Sequence, residues 1–194
     1  MSAGSSLDQR PDLLTERLSL RRPEELDVGA IVAIVGAWEV ARRLARVPHP
    51  YDAADARFFL EHIVPAEWVW AITLQGCDTL IGTIGLTPQE GSDTAELGYW
   101  LSPVHWGQGI ATEAGRAVIS FGFETLGLPV ITSGYFEDNR ASGQVLRKLG
   151  FVDTGRTLRP CLAAGGEVPS VSMELRRAFH PRGAPTPDPE PGSR

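Results

Sequence analysis

Gly107 and Gly109 stand two residues apart in the run Glu96-Leu-Gly-Tyr-Trp-Leu-Ser-Pro-Val-His-Trp-Gly-Gln-Gly-Ile-Ala-Thr-Glu-Ala114. The run reads as a strand, a glycine-rich turn and the start of an amphipathic helix. Glycine reaches backbone conformations closed to residues with a Cβ and lets a ligand approach the main chain. The first N–H groups of a helix lack acceptors in their own helix and lie at the positive end of its dipole, so they attract phosphate oxygens. A pyrophosphate-bearing cofactor, seated on the main-chain amides of Gly107, Gln108, Gly109, Ile110, Ala111 and Thr112, is therefore expected.

What the turn lacks narrows the cofactor. A loop for nucleoside triphosphates ends in Gly-Lys-Ser/Thr, which supplies an ammonium to the phosphates and a hydroxyl to magnesium; here Ile110 and Ala111 follow Gly109. The dinucleotide fingerprint needs a third small residue where Thr112 stands, and no ribose-binding acid ends a following strand. ATP, GTP and NAD are poor matches.

Four signatures in order carry a resemblance: Glu96-Leu-Gly-Tyr-Trp-Leu101, Trp106-Gly-Gln-Gly-Ile-Ala-Thr-Glu-Ala114, Asn139-Arg-Ala-Ser142 and Lys148-Leu-Gly-Phe151. Together they resemble the GNAT N-acetyltransferase superfamily, its RimJ/RimL-like branch most closely. Leu14-Thr-Glu-Arg-Leu-Ser-Leu-Arg21 and Pro48-His-Pro-Tyr-Asp52 extend the likeness, which spans about residues 13 to 176. The resemblance implies an α/β (α+β) fold with a mixed central sheet of six to seven strands, splayed between two parallel strands and flanked by about four helices. It implies an acetyl-CoA-dependent enzyme that passes acetyl directly to a primary amine, either a protein N-terminus or a small-molecule amine.

Acetyl transfer needs a neutral amine, donors for the carbonyl oxygen and a proton for the departing thiolate. Glu96, on the strand leading into the loop, is the candidate base, and the resemblance implies an acid of this role there; the bland reading is a solvated strand residue. The resemblance also implies an oxyanion donor at the N–H near Leu101, where the family's strand bulges and admits the pantetheine arm. It further implies a tyrosine as acid on the helix after the second parallel strand, but Leu146 fills that slot. Ser142 can donate to the sulfur instead. Asn139 can meet the pantetheine amides or order a water, and helix capping is the alternative for both residues. Trp106 stands where many relatives carry Arg or Gln, so it either packs against the cofactor or fills core. Glu113 complements the helix dipole and faces away from the phosphates.

Acceptor contacts are expected from Trp38, His49 and Tyr51, with core packing as the alternative for Trp38. An α-amine, with a pKa of about 7.7–8.0, is roughly a tenth neutral at pH 7, whereas lysine at about 10.4 is neutral less than one part in a thousand, so an α-amine asks less of Glu96. Neither Cys77 nor Cys161 has an activating base nearby in the sequence, which favours direct transfer over a covalent acetyl-enzyme. No metal site is proposed. A rival reading keeps the loop in a non-catalytic acyl-CoA-binding or sensing domain.

The whole chain is consistent with one such unit. Its 194 residues, 42% hydrophobic, can bury one sizeable core. A net charge of -6 argues against nucleic acid as a ligand. Two cysteines in no metal-binding spacing suit a reducing compartment. The apolar stretches are too short for a membrane span, so a cytoplasmic monomer or homodimer is expected. Residues 1–12 read as a flexible N-terminus, 13–178 as the acetyltransferase domain and 179–194 as a disordered Pro-rich tail.

The elements that must position these groups follow from periodicity. Residues 17–22 alternate as a strand, and Ile31, Ile34, Val35 and Trp38 recur at helical spacing. Asp52 or Asp55 can cap a second helix carrying Phe58, Phe59 and Ile63 toward Pro65. A hairpin turns at Gln75-Gly-Cys-Asp78, from the strand of Trp68, Trp70, Ile72 and Leu74 into residues 79–86; a strand over 94–101 follows. The helix of Ile110, Ala114, Val118 and Phe121 then crosses to a strand over 130–136, which must run parallel to 94–101. A short helix over 140–149 and a last strand through Val171, Met173 and Leu175 complete the pattern.

Overall fold

The computed structural model describes residues 10–177. Eight strands form one mixed sheet: β1 (Leu13–Leu14), β2 (Leu18–Arg21), β3 (Trp68–Leu74), β4 (Gly82–Pro88), β5 (Thr94–Leu101), β6 (Val130–Phe136), β7 (Val152–Cys161) and β8 (Gly166–Arg176), in the order β1-β2-β3-β4-β5-β6-β8-β7. Every pairing is antiparallel except β5 with β6, whose helical crossover makes them parallel. The sheet has more strands than the six to seven expected, for two reasons. β1 is a two-residue edge. β7 is exposed along most of its length and so has no apolar alternation to read.

Strand alternation sends successive side chains to opposite faces. One face buries Leu18, Leu20, Trp70, Ile72, Ile84, Leu86, Leu97 and Ile131 beneath α5 (Ile110–Ser120) and α6 (Arg140–Lys148). The other packs Ala71 and Trp100 with α1 (Val28–Val35), α2 (Trp38–Ala41) and α3 (Ala53–Phe58). Gly36 ends α1 two residues before Trp38, which starts α2 rather than continuing the first helix. Asp52 caps α3, its carboxylate accepting from the N–H groups of Ala54 and Asp55. A π-turn over Phe59–Ile63 carries the chain from α3 into the three-residue α4 (Val64–Ala66), so the flanking helices are more divided than the four anticipated.

Residues 10 to 12, grouped above with a loose N-terminus, are anchored. The Arg10 guanidinium donates to the carbonyls of Val64, Glu67 and Val69, and Trp70 Nε1 donates to the Pro11 carbonyl at 2.8 Å. The remainder of the expected N-terminal stretch and the Pro-rich tail lie outside the described residues. Among the described residues, no helix is long and apolar enough to cross a membrane.

Candidate active site

β5 and β6 pair over only three positions, Thr94 with Val130, Ala95 with Ile131 and Glu96 with Thr132. Beyond these positions the ladder opens, with the Ser133 hydroxyl donating to the Leu97 carbonyl at 2.8 Å in its place. The expected bulge at Leu101 is not there: β4 and β5 stay in regular register from Pro88–Ala95 to Gly82–Leu101. The opening comes from β6 leaving instead. Ser102 N–H donates to the Ile81 carbonyl, so by antiparallel alternation the main-chain groups of Leu97, Tyr99 and Leu101 point away from β4, toward the gap. The Leu101 N–H therefore lies on the wall where a donor was expected. The Leu101 carbonyl, facing the same way, accepts from Trp106 Nε1 at 2.9 Å.

At the wide end of this gap stands the glycine turn. Gly107 and Gly109 have φ of 73° and 77°, the left-handed region that favours glycine, and Gly109 is the N-cap of α5. The N–H groups of the first turn of α5 have no carbonyl to bond within the helix. A cavity of about 930 Å³ runs from this turn through the gap to the opposite face of the sheet. Trp106, Gly107, Gly109, Ile110, Ala111, Thr112, Leu101, Asn139 and Ser142 all line it. Gln108 does not: its side-chain amide turns back to the Val104 carbonyl, and its own carbonyl accepts from Arg17 Nη1. The volume and the free amides fit a pyrophosphate-bearing arm, and so do two buried nitrogens without partners on the same wall, Arg43 Nε and His105 Nδ1.

On the α5/α6 side, Tyr99 and Ser142 meet with hydroxyls 2.8 Å apart. Burial pushes the Tyr99 phenol up to about 12 against the opposing effect of its bond to Ser142, so it is protonated at neutral pH. Sequence reasoning gave Tyr99 no role, although alternation with Leu97 and Leu101 sets it on the cofactor face. Asn139 is the cap of α6, its Oδ1 accepting from the Ser142 N–H at 3.3 Å. Leu146 is fully buried in the core. Trp106 is neither wholly core nor free: it is 36% exposed, with the Arg43 guanidinium 4.8 Å above its ring. Glu113 does not line the cavity; its carboxylate accepts from Thr15 and Arg17, and Arg17 also donates to the Gln108 carbonyl of the turn.

The other face carries the acids. Glu96 lies opposite Thr87 across β4 and β5, and Thr87 Oγ1 donates to Glu67 Oε2 at 2.8 Å. Arg46 donates to both Glu67 oxygens, at 2.7 and 3.3 Å. Its guanidinium is held above its ordinary value, first by that bond, against burial, and then by the charges of Glu67 and Glu96. Arg159 Nη2 pairs with Glu96 Oε1 at 2.6 Å. Tyr51 lines this end of the cavity, and burial, then the charge of Asp55, pushes its phenol up to about 12. Trp38 and His49 do not line the cavity; their rings meet each other at 5.2 Å, and Trp38 is 49% exposed. Arg46, Glu67 and Arg159 were missed in sequence because their partners are distant along the chain. Among the described residues, no three His, Cys, Asp or Glu side chains cluster as a metal site.

A family model of the acetyltransferase (GNAT) domain matches residues 17–152. YoaA of Bacillus subtilis (strain 168), an uncharacterized N-acetyltransferase, is 34% identical over 152 residues, 75% of this chain and 85% of its own. The uncharacterized N-acetyltransferase p20 of Bacillus licheniformis is 32% identical over 168 residues, covering 83% and 93%. Among solved structures, a GNAT acetyltransferase of Bacillus anthracis superposes with a TM-score of 0.76 at 22% identity, over 86% of this chain and 98% of its own. RimL, a ribosomal L7/L12 alpha-N-protein acetyltransferase in complex with coenzyme A, gives 0.73 at 20% identity, over 86% and 98%. The chain belongs to the GNAT family, and it is an acetyltransferase enzyme.

Proposed function

We propose that this acetyltransferase takes acetyl from acetyl-CoA and passes it directly to a primary amine, with Glu96 as the proton acceptor. The observation that carries this reading is the divergence of β5 from β6 immediately after Glu96. It leaves the glycine turn and the Tyr99–Ser142 pair on one side of the sheet and Glu96, with Arg159, on the other. Acetyl-CoA supplies the thioester and leaves as the thiol. The main-chain amides of residues 107–112 would hold its diphosphate, and the N–H groups of Tyr99 and Leu101, directed into the gap, are donors for the carbonyl oxygen. As the amine nitrogen forms its bond to the carbonyl carbon, Glu96 takes the nitrogen's proton and the carbon–sulfur bond breaks. Ser142, backed by the Tyr99 phenol, offers a hydrogen bond to the departing sulfur, which takes up a proton.

Two features support a cytoplasmic setting: both cysteines are free thiols, and the reading requires a supply of acetyl-CoA. The decisive experiment is Glu96→Gln, assayed by release of free CoA. It should retain acetyl-CoA binding and lower turnover on the order of 10²-fold at neutral pH. Unchanged turnover removes Glu96 from the mechanism.

A further inference from the structure

The carboxylate that must receive the amine already holds a cation. Arg159 reaches it from β7, although β8 and β6 lie between β7 and β5 in the sheet. Its path runs over Gly134 of β6, where a Cβ would stand 2.9 Å from Arg159 Nη1 and 3.0 Å from the Val171 carbonyl oxygen. A side chain at this position would press on the guanidinium and move it from where it lies. The pair is neither surface-exposed nor sealed, with side chains 31% and 28% exposed, and both residues line the cavity.

This arrangement discriminates between acceptors. An amine arriving as a simple monocation can reach Glu96 only by displacing Arg159, which leaves a half-shielded guanidinium without a counter-charge beside the new cation. Arg46, whose charge also acts on Glu96, makes that exchange worse. A zwitterion meets no such obstacle. Its ammonium takes Glu96 while its carboxylate takes Arg159, so one ion pair is exchanged for two, and a planar guanidinium matches a carboxylate through paired hydrogen bonds. The surrounding wall is mixed: Ile31, Val35, Phe59, Ile63 and Val69 line the basin together with the polar Glu67, Thr83, Thr87 and Gln89.

Resting on the acetyltransferase reading above, we infer that the acceptor is an α-amino acid, or a compound with the same zwitterionic head, and that Arg159 receives its carboxylate. Arg159 is thus a specificity determinant that also positions Glu96 while the acceptor is absent.

The test compares matched triplets: L-phenylalanine, L-phenylalaninamide and phenethylamine, and L-methionine, L-methioninamide and 3-(methylthio)propylamine. Binding to the protein saturated with CoA is measured by calorimetry, and turnover with acetyl-CoA by free-thiol release. The free acids should bind about tenfold or more tightly than the amides and amines, as expected for one charge-assisted pair. Arg159→Met should abolish that preference while thermal denaturation shows a folded protein, and Arg159→Lys should restore part of it. Equal binding across a triplet, tighter binding of the amides (which stand for a protein N-terminus), no binding of either free acid, or an unchanged preference in Arg159→Met would each overturn the inference. Glu96→Gln separates the two readings. Full turnover in that variant, with the parent still preferring the free acids, fails the base assignment and leaves the carboxylate inference standing; slow turnover in that variant, with the parent binding each triplet equally, fails the carboxylate inference and leaves the base assignment standing.

Discussion

The hydroxyls of Tyr99 and Ser142, 2.8 Å apart, join β5 to the first turn of α6 across the gap between the diverging strands. If the pair acts on the leaving sulfur as a unit, Tyr99→Phe should lower kcat about two- to tenfold, the worth of one neutral hydrogen bond. Ser142→Ala should lower it at least as far, and the double variant should be no slower than Ser142→Ala alone, because coupled groups are not additive. Multiplying effects would show two independent roles.

Gly109 caps α5 at a φ of 77°, and a β-branched residue there is a genuine outlier. Gly109→Val should therefore cost on the order of 1–2 kcal/mol of stability, read as a Tm lower by several degrees. By blocking approach to the main chain it should also weaken acetyl-CoA about tenfold or more, with Gly109→Ala intermediate. Calorimetry giving equal affinity for Gly109→Val and the parent would refute the loop's assignment.

Burial raises the Glu113 pKa, but hydrogen bonds from the Thr15 hydroxyl, the Arg17 N–H and the Arg17 guanidinium outweigh it, so the carboxyl sits below its ordinary 4.5. A depressed carboxyl stabilises the fold fully above its unfolded pKa and loses that contribution as pH falls through the folded value. Glu113→Gln should thus be less stable than the parent at pH 7 by about 1–3 kcal/mol, the worth of a charge-assisted hydrogen bond. The difference should shrink as pH drops below 4.5. Urea titrations of both proteins from pH 7 to pH 3 read the effect directly, and a difference independent of pH would contradict it.

Cys77 is exposed, and its thiol is lowered first by a hydrogen bond with the Thr79 side chain. Cys161 is buried, with Sγ 3.6 Å from the carbonyls of Arg42 and Leu44. Iodoacetamide at neutral pH should alkylate Cys77 and leave Cys161 unmodified until the chain unfolds, with turnover preserved. Loss of turnover on modification of Cys77 alone would reopen a thiol-based mechanism.

How far the sequence disclosed this site depends on whether each feature is local. Gly107, Gly109 and the helix they open form one contiguous stretch, so spacing sufficed. The parallel pairing followed from a helix lying between two strands. Tyr99 was placed on the correct strand, but its partner Ser142 lies 43 residues on and no periodicity links them. Arg159 is 63 residues from Glu96 and sits on an exposed strand without apolar alternation, so neither its element nor its reach was legible. The bulge anticipated at Leu101 was carried over from relatives; here β6 alone provides the opening. Trp38 and His49 were grouped with Tyr51 by neighbourhood in the chain, yet their rings meet each other and neither lines the cavity.

The three-rung pairing of β5 with β6 also bears on kinetics. Under the proposed function the thioester donor enters from the helix-covered α5/α6 face and the amine from the α1/α3 face, so neither needs to depart before the other arrives. Initial-velocity plots at several fixed donor concentrations should therefore give intersecting lines, the signature of a ternary complex, and not the parallel lines of a double-displacement scheme.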